Sequence, residues 1–452
     1  MQQEELYALV VEQLNRHQVN KLIGIGEHIS AYLTSHTTPV QVETFVSTDD
    51  FIRHFRFSTF KDEVILVKGA RLFAFERIVK LLEQKVHETV LEINLSGIVH
   101  NLKEYQHYLQ PATKVMAMVK AFAYGSGGAE IAGILQYHKV DYLGVAYADE
   151  GVELRKAGIA LPVMVMNPED SAFDAIVEYN LEPELYSFEL LQAFDNFLKQ
   201  EGIHQYPVHI EVETGMNRLG FAIDDMERLA TTMRATTSFK IMSVFSHLAA
   251  SEEAVQDNFT LEQYHKFTGA ATLLRDKLGY DFLKHIANSA GVARHPELQM
   301  DMVRLGIGLY GVDSAHSGKL QLHPVATLKS TIAQVKHLKK GDSVSYNRRK
   351  IVEKDTTIAT VRIGYADGYP RRLGNGAGQV MIRGQLAPVT GTICMDMFMV
   401  DITDIKDASE GDEVILFGKS LPVEQVATWA DTIPYEIMTG ISQRVKRVYF
   451  QE

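Results

Sequence analysis

Strand-like runs alternate with helical patterns from residue 90 to about residue 310, and this alternation limits the possible folds more than any other feature. After an initial strand at 90–95, the runs fall at 115–119, 142–146, 162–166, 183–186, 208–212, 241–245, 283–286 and 302–309. Helical patterns separate them, for example at 149–157, 188–199 and 258–278. Eight strand–helix units in succession predict a (β/α)8 barrel. An open doubly wound sheet is the alternative, but no G-x-G-x-x-G motif follows a strand.

After about residue 325 the strand-like runs follow one another without helices between them. They fall at 330–338, 343–346, 356–363, 379–382, 397–402 and 412–416. Lys340-Gly-Asp and Glu410-Gly-Asp mark turns between them. This pattern predicts an antiparallel β domain over residues 326–452, after a barrel domain over residues 89–325.

Residues 1–88 follow a third pattern. We expect helices at Leu6–Leu14 and Phe73–Leu82, and strands at Lys21–Gly26 and Val64–Arg71. Such a series is typical of part of a small α/β domain. The predicted fold class is therefore α/β, with a partial α/β segment, a (β/α)8 barrel and a β domain in that order.

Composition excludes several classes of function. The net charge of −12, with no Lys/Arg cluster, argues against a nucleic-acid partner. The single cysteine, Cys394, excludes a disulfide framework and fits a reducing compartment. Apolar runs such as Ile159–Met166 are shorter than a membrane span, and no basic-then-apolar secretion signal is present. We expect a cytoplasmic protein with no membrane contact and no metal site.

A lysine stands at the end of the first predicted barrel strand. Lys120 follows the apolar run 115–119, and Tyr124 lies four residues further on. The lysine could extend its ammonium group to solvent. It could instead be desolvated, so that its pKa falls and the free amine becomes a nucleophile that forms Schiff bases. Spacing alone leaves both readings open.

Other chemically active side chains also lie where predicted strands end. They are Glu211, Glu213 and Arg218 around the fifth strand, His247 after the sixth, Asn288 and Ser289 after the seventh, and Arg304, Gly306 and Ile307 on the eighth. Each one alone could be structural, as a core histidine, a surface ion pair or a helix cap. Together they occupy the barrel face that carries catalytic sites, and the loops after the last two strands commonly hold a phosphate.

The segment Val119-Lys-Ala-Phe-Ala-Tyr-Gly125 resembles the pyridoxal-phosphate attachment motif of alanine racemases. The resemblance covers residues 90–452 almost completely. Further matches are Glu213–Gly220, Ser246-His247, Asn288-Ser289, Val303–Ile307, Ser345-Tyr346, Ile363–Gly368 and Gly391–Asp396. The family implies a pyridoxal 5′-phosphate enzyme that interconverts L-alanine and D-alanine for peptidoglycan synthesis.

The resemblance also implies roles for individual residues. Lys120 would hold the cofactor and act as the base on the D side of the substrate. Tyr346 would act as the opposite base, reaching in from the partner subunit of a homodimer. Cofactor contacts would come from Tyr124, His247, Asn288, Ser289, Arg304, Gly306 and Ile307. Arg218 and Met395 would hold the substrate carboxylate, and Glu211, Tyr365 and Asp396 would support them.

Three positions depart from the usual family pattern. Phe122 stands where asparagine is common, and Glu211 stands where many members have a carbamylated lysine. Because Glu211 and Glu213 alternate with one residue between them, we expect both to point into the barrel, with Glu211 binding the Arg218 guanidinium. Gln443 lies where some members place a phosphate-contacting tyrosine, and it receives no role.

The amino-terminal segment resembles another family. Ile23-Gly-Ile-Gly-Glu27 and Val67-Lys-Gly-Ala-Arg71 are similar to motifs in the carboxyl-terminal part of Mur ligases. Because the chain has no G-x-x-x-x-G-K-[ST] loop for ATP, the segment would be a remnant or a truncated fusion without ligase chemistry.

For residues 90–452, two alternative functions remain: a pyridoxal-phosphate decarboxylase and a cofactor-carrying regulatory protein. The first would usually place an acid where Arg304 stands, and the second would lack the β domain.

Overall fold

The computed structural model describes residues 3–55, 60, 65–82 and 88–451, which fall into two compact units, Met1–Val86 and His87–Glu452. In the smaller unit, strands β1 (Lys21–Ile25) and β2 (Gln41–Phe45) pair in parallel. Its helices are Gln3–Arg16, Glu27–Ser35, Thr48–His54 and Glu76–Leu82. The predicted first helix and first strand are confirmed.

The predicted strand Val64–Arg71 is wrong where it can be compared. Val64 lies outside the described residues, and residues 65–70 have no regular structure. Leu66 is 80% exposed, and among the described residues of this unit β1 and β2 pair only with each other. A segment without a neighbouring strand cannot satisfy its backbone groups as a sheet does. The helix predicted from Phe73 begins only at Glu76, because Ala74 has a left-handed φ of 49°.

The larger unit contains the predicted barrel. Its parallel strands are β4 (Lys114–Met118), β5 (Tyr142–Val145), β6 (Val163–Val165), β7 (Glu182–Leu185), β8 (Tyr206–Glu211), β9 (Phe239–Phe245), β10 (Leu283–His285) and β11 (Met302–Leu305). They pair in the sheet order β10-β9-β8-β7-β6-β5-β4-β11. The edges meet where Arg304 N donates to Ala287 O at 2.9 Å and Asp301 N donates to Lys284 O at 3.1 Å. The doubly wound alternative is excluded.

Burial explains the long apolar runs in these strands. All four residues of β5 and all four of β11 are buried, as expected when helices cover one face of a sheet and the barrel interior fills the other. The surrounding helices are Leu95–Tyr108, Gly128–Tyr137, Ala148–Lys156, Phe173–Glu178, Phe188–Gln200, Met226–Arg234, Asp257–Leu278 and Ser289–Arg294. None of the described helices is long and apolar enough to cross a membrane.

The β domain contains a strand and two helices that were not predicted to belong to it. Its strands are β3 (Val90–Asn94), β12 (Ala326–Leu338), β13 (Ser343–Val344), β14 (Lys350–Ile351), β15 (Thr356–Val361), β16 (Gln379–Ile382), β17 (Gln385–Thr390), β18 (Phe398–Asp401), β19 (Glu413–Phe417) and β20 (Lys446–Phe450). Strand β3, expected at the start of the barrel, pairs antiparallel with β12 and parallel with β20. Helices Val423–Trp429 and Pro434–Thr439, which were not predicted, precede β20.

A buried amide joins the first barrel helix to the connection between the domains. Asn101 is fully buried; its Nδ2 donates to Leu309 O at 3.0 Å and to His323 O at 2.9 Å. Its Oδ1 accepts from His323 N at 2.7 Å. One side chain therefore satisfies three buried or half-buried backbone groups.

Asn101→Ala should lower the free energy of unfolding by about 2–4 kcal/mol, because these backbone groups lose their partners. The measurement is the unfolding midpoint in heat and in urea. Lys103→Ala, an exposed position on the same helix, is the control and should change the midpoint little. Equal midpoints for the two variants would contradict the prediction.

Candidate functional site

A left-handed turn follows β4 and carries Lys120. Residues 121–124 have φ values from 49° to 54°, which residues other than glycine rarely adopt. Ala123 N donates to Val119 O and Gly125 N to Ala121 O, each at 2.9 Å, while Ala121 N donates to Glu150 Oε1 at 2.6 Å. Such a run of positive φ needs surrounding structure to hold it.

Gly125 is required by the contact that closes this turn. It has a φ of 80°, and a Cβ at this position would overlap the Met438 carbonyl oxygen of helix Pro434–Thr439. The β domain therefore packs directly against the end of the turn.

The environment of Lys120 favours a desolvated amine over an ammonium group that extends to solvent. Burial lowers the pKa of the Lys120 ammonium group, and the guanidinium of Arg218 lowers it further. Arg304 acts in the same direction, whereas Glu150 and Glu184 oppose the shift. The side chain therefore lies among cations near the strand ends, where a neutral amine is favoured.

The loops after β10 and β11 meet the Lys120 turn at Ser289, Gly306 and Tyr124. Gly306 N donates to Ser289 Oγ at 2.8 Å. A Cβ on Gly306 would lie 2.8 Å from the Tyr124 hydroxyl, so the glycine lets that hydroxyl approach the backbone. Ile307 follows, fully buried. Asn288 caps helix Ser289–Arg294, its Oδ1 accepting from Gly291 N at 2.8 Å.

Two tyrosines that the sequence analysis did not single out pack around Tyr124. The ring of Tyr310 lies 4.6 Å from that of Tyr124, and the ring of Tyr435 lies 6.0 Å from it. Burial raises the pKa of Tyr435 to about 12, so its hydroxyl is a neutral hydrogen-bonding group. Tyr435 comes from helix Pro434–Thr439, more than 300 residues after Tyr124 along the chain, and local sequence carries no signal for the encounter.

Gln443 lies on the other side of the Lys120 turn. It lines a cavity of about 630 Å³ together with Phe122, Glu150 and Arg447. The lining of this cavity includes none of the predicted cofactor or substrate ligands. Phe122 packs against the Arg447 guanidinium, 5.5 Å from ring centroid to Cζ.

Arg304 is a buried cation held by neutral acceptors. It is 3% exposed; Nη2 donates to Ser246 O at 2.7 Å, and Nη1 donates to His285 Nδ1 at 2.8 Å. His247 Nδ1 lies 3.5 Å from Nη2. No carboxylate forms an ion pair with Arg304 within residues 88–451. Burial lowers the pKa of Arg304 to about 10, and it lowers that of His247 to about 3 with help from the Arg304 charge.

A hydrogen-bond chain continues from Arg304 through the barrel interior. Ser243 Oγ lies 2.8 Å from His285 Nε2 and 2.6 Å from His209 Nδ1, and His209 Nε2 lies 3.0 Å from Glu182 Oε2. Arginine can only donate, so His285 accepts at Nδ1 and donates at Nε2. The serine can then donate to His209, which donates to Glu182. These four residues were missed because they meet across four different strands.

The acidic residues near β8 differ from expectation. Glu213 does not point into the barrel: its carboxylate accepts from Gly215 N and Asn217 N and shapes the loop before Arg218. Glu211 is buried, as expected, but no ion pair joins it to Arg218 in the part of the chain described. The carboxyl of Glu184, which the sequence analysis overlooked, lies within hydrogen-bonding reach of Glu211. Glu211 thus has a second acid on the neighbouring strand, and not the arginine, as its hydrogen-bonding neighbour.

The residues predicted from the β domain lie at its surface. Tyr346, Tyr365 and Met395 are 67%, 43% and 54% exposed. Asp396 Oδ1 accepts from Arg444 Nη2 at 2.7 Å. Within one chain the structure thus brings together Lys120, Tyr124, His247, Ser289, Arg304, Gly306 and Ile307, and leaves Tyr346, Tyr365 and Met395 facing outward.

Two family models match the chain. The alanine racemase amino-terminal domain matches residues 93–314, and the alanine racemase carboxyl-terminal domain matches residues 325–449. Residues 1–92 lie outside both matches.

Curated proteins and solved structures give the same result. The chain is 37% identical to an alanine racemase of Clostridium tetani, over 80% of this chain and 95% of that protein. It is 39% identical to one of Desulforamulus reducens, over 79% and 98%. Among structures, an alanine racemase of Clostridium difficile 630 gives a TM-score of 0.75 at 35% identity, covering 81% and 97%. One from Bartonella henselae with covalently bound pyridoxal phosphate gives 0.74 at 30%, covering 80% and 100%.

The buried His285 should make the folded chain less stable in acid. Burial holds the pKa of His285 well below its usual value, so below pH ~6.5 the unfolded chain binds a proton that the folded chain does not. The free energy of unfolding should therefore fall by up to about 1.4 kcal/mol per pH unit from this residue alone. His285→Asn, which keeps an acceptor for Arg304, should show a smaller fall between pH 6.5 and 5.

Urea unfolding over this pH range measures the effect. His265→Asn, at an exposed position, is the control and should follow the wild type. If His285→Asn has the same pH slope as the control, His285 is not held neutral.

Proposed function

The chain belongs to the alanine racemase family, and on that premise we propose how its own residues carry out the reaction. The chain is an isomerase that interconverts L-alanine and D-alanine with pyridoxal 5′-phosphate. D-Alanine made in this way usually serves peptidoglycan synthesis. The observation that carries the residue assignments is the grouping of a desolvated lysine, the hydroxyls around Gly306 and a buried arginine on one barrel face.

The site's chemistry fits the cofactor. Around Gly306 the structure places the hydroxyls of Ser289 and Tyr124; the Gly306 N–H donates to Ser289 Oγ, and a Cβ on Gly306 would meet the Tyr124 hydroxyl. These groups suit a phosphate, for which we assign Tyr124, Ser289, Gly306 and Ile307, with Tyr435 as a further hydroxyl nearby. Asn288 positions Ser289 through the helix cap.

Lys120 and Arg304 would control the reactive part of the cofactor. When bound, the cofactor withdraws electrons from the substrate Cα and so acidifies its proton. Lys120, with its lowered pKa, would attach the cofactor and, once released, would take or return the Cα proton on one face. Arg304 would hold the ring nitrogen, and because an arginine keeps its proton, electron withdrawal would stay weak, which favours simple proton exchange. An acid at this position, as in the decarboxylase alternative, would strengthen electron withdrawal by the cofactor.

The second base must come from elsewhere, because racemisation needs a proton acceptor on each face of Cα. Within one chain Tyr346 is exposed on the β domain, so its supply by a partner subunit is the arrangement that we propose. A tyrosine has an unperturbed pKa of ~10, so cations must stabilise its phenolate. Arg218 and Arg304 would do this across the dimer, with His247 between Arg304 and Tyr346.

The substrate carboxylate is assigned to Arg218 and the backbone of Met395. Arg218 is exposed at the end of the loop that Glu213 shapes, and its fork suits a carboxylate. Tyr365 and Asp396 would support this end of the site. Asp396 does so through Arg444, which also binds the fully buried Asp367 at 2.7 Å. The loop after Gly364 is thereby fixed.

The functional division of the chain is part of the proposal. Residues 89–325 would bind the cofactor, and 326–452 would complete the partner's site. Residues 1–88 would be a segment resembling the carboxyl-terminal part of Mur ligases. A cytoplasmic location follows from the supply of D-alanine to enzymes that build cell-wall precursors.

The central test is the attachment of the cofactor to Lys120. The purified protein should convert L-alanine into D-alanine, and borohydride treatment should fix the cofactor to a peptide containing Lys120, as mass spectrometry can show. Lys120→Ala should lose both the fixed adduct and more than ~10³-fold of the activity. An adduct that persists at another lysine would refute the assignment.

Subunit mixing tests the shared site. Lys120→Ala and Tyr346→Phe homodimers should each be inactive, but a heterodimer contains one site with both native residues. Mixed and exchanged chains should therefore recover up to about a quarter of wild-type activity, since half of the dimers are mixed and each has one intact site. Differently tagged chains would prove exchange. Proven exchange without recovery would place Tyr346 in the same subunit's site or outside it.

A further inference from the structure

Neighbouring strands place a second acid beside Glu211. In the parallel pair β7–β8, Glu184 lies opposite His209. Side chains two apart on a strand share a face, so Glu182 and Glu184 face the same way, as do His209 and Glu211. The bond of 3.0 Å between Glu182 and His209 lies in the barrel interior. Glu184 and Glu211 therefore meet one layer nearer the strand ends.

The two carboxyls cannot satisfy each other if both are ionised. Glu184 is 1% exposed and Glu211 is 4% exposed. Each has one oxygen, Oε2, that accepts no hydrogen bond from a donor in the described residues. An ionised carboxylate only accepts, whereas a protonated one also donates. A proton on one of them turns two unsatisfied acceptors into a hydrogen-bonded pair.

The charges around the pair indicate which carboxyl carries the proton. Burial, followed by the adjacent Glu211, raises the pKa of Glu184 well above its usual value. For Glu211, burial also raises the pKa; the hydrogen bond from Glu184 and the charges of Arg218 and Arg304 oppose that rise without cancelling it. The charged and titratable groups near enough to act electrostatically on the pair are Arg218, Arg304, Lys120, Tyr186 and, from the loop outside the barrel, Glu213.

We propose that Glu184 is a positioning residue: it stays neutral, donates a hydrogen bond to the ionised Glu211, and leaves one negative charge facing Arg218 and Arg304. The two glutamates, sharing one proton, then carry the same net charge as a single carboxylate. A second negative charge would also raise the pKa of Lys120, which Glu184 influences directly. The neutral form therefore keeps the lysine amine available. The effect on alanine binding rests on the proposed role of Arg218; the assignment of the proton does not.

Infrared difference spectroscopy of the holoenzyme tests the assignment of the proton. The wild type should show a protonated-carboxyl band at neutral pH that disappears in Glu184→Gln and persists in Glu211→Gln. Glu182→Gln, on the same strand and face but bound to His209, is the matched control and should keep the band. A band that persists in Glu184→Gln, or that disappears in Glu211→Gln instead, overturns the proposal.

Stability gives a second readout without catalysis. Above pH ~4.3 the unfolded chain ionises this glutamate while the folded chain does not, so stability should fall as pH rises. Glu184→Gln removes that cost. The unfolding midpoint of the variant, relative to that of the wild type, should therefore be higher at pH 8 than at pH 5. A gain that does not grow with pH counts against a neutral Glu184.

Kinetics test the positioning role. The amide of Glu184→Gln can still donate to Glu211, so KM for alanine should stay within about threefold of the wild type. Glu184→Leu cannot donate, and KM should rise about tenfold or more with a smaller change in kcat. Equal KM values for the two variants would reject the positioning role. A wild type that shows the expected band but no racemase activity would instead reject the proposed function.

Discussion

Burial of the Arg304 guanidinium, whose donors bond to neutral acceptors and which forms no ion pair within residues 88–451, is the constraint on which the rest of the site depends. A desolvated cation is costly unless its donors are satisfied. Here backbone carbonyls and a histidine nitrogen take that role, and each carbonyl belongs to a strand end that must be correctly placed. The guanidinium donors therefore find these acceptors only when the barrel is closed and β9, β10 and β11 are in register.

The side chains inside the barrel form two layers with different electrostatic properties. The lower layer, from Glu182 to His285, is a line of hydrogen bonds that carries one carboxylate at its far end. The upper layer contains Glu184 and Glu211, close to the cations. Neutral donors and acceptors therefore separate the formal charges, and the field at the strand ends is set by few ionised groups. This arrangement suits the proposed use of Tyr346 and Lys120 as the two bases near neutral pH.

The barrel, and the strand ends at which the candidate site residues lie, were predictable for identifiable reasons. Parallel strands buried on both faces leave continuous apolar runs, and their ends mark the reactive face. Other features were not predictable from local sequence. The β3 pattern indicates a strand but not its partner. Glu184 stands in an unremarkable Glu182-Pro-Glu-Leu185 run, and the residues 121–124 include no glycine to signal a left-handed turn. Each of these depends on contacts between distant parts of the chain.

The turn that presents Lys120 has a consequence for the order of events during synthesis. Its closing glycine packs on the Met438 carbonyl, and Gly125 O accepts from Arg447 Nε at 2.9 Å. Both partners leave the ribosome more than 300 residues after the lysine does. A nascent barrel therefore lacks two of the contacts that the turn makes, and Lys120 reaches its final setting only after the segment with Met438 and Arg447 has been made. Loading with cofactor would then follow synthesis of the β domain, even though the attachment residue is made early.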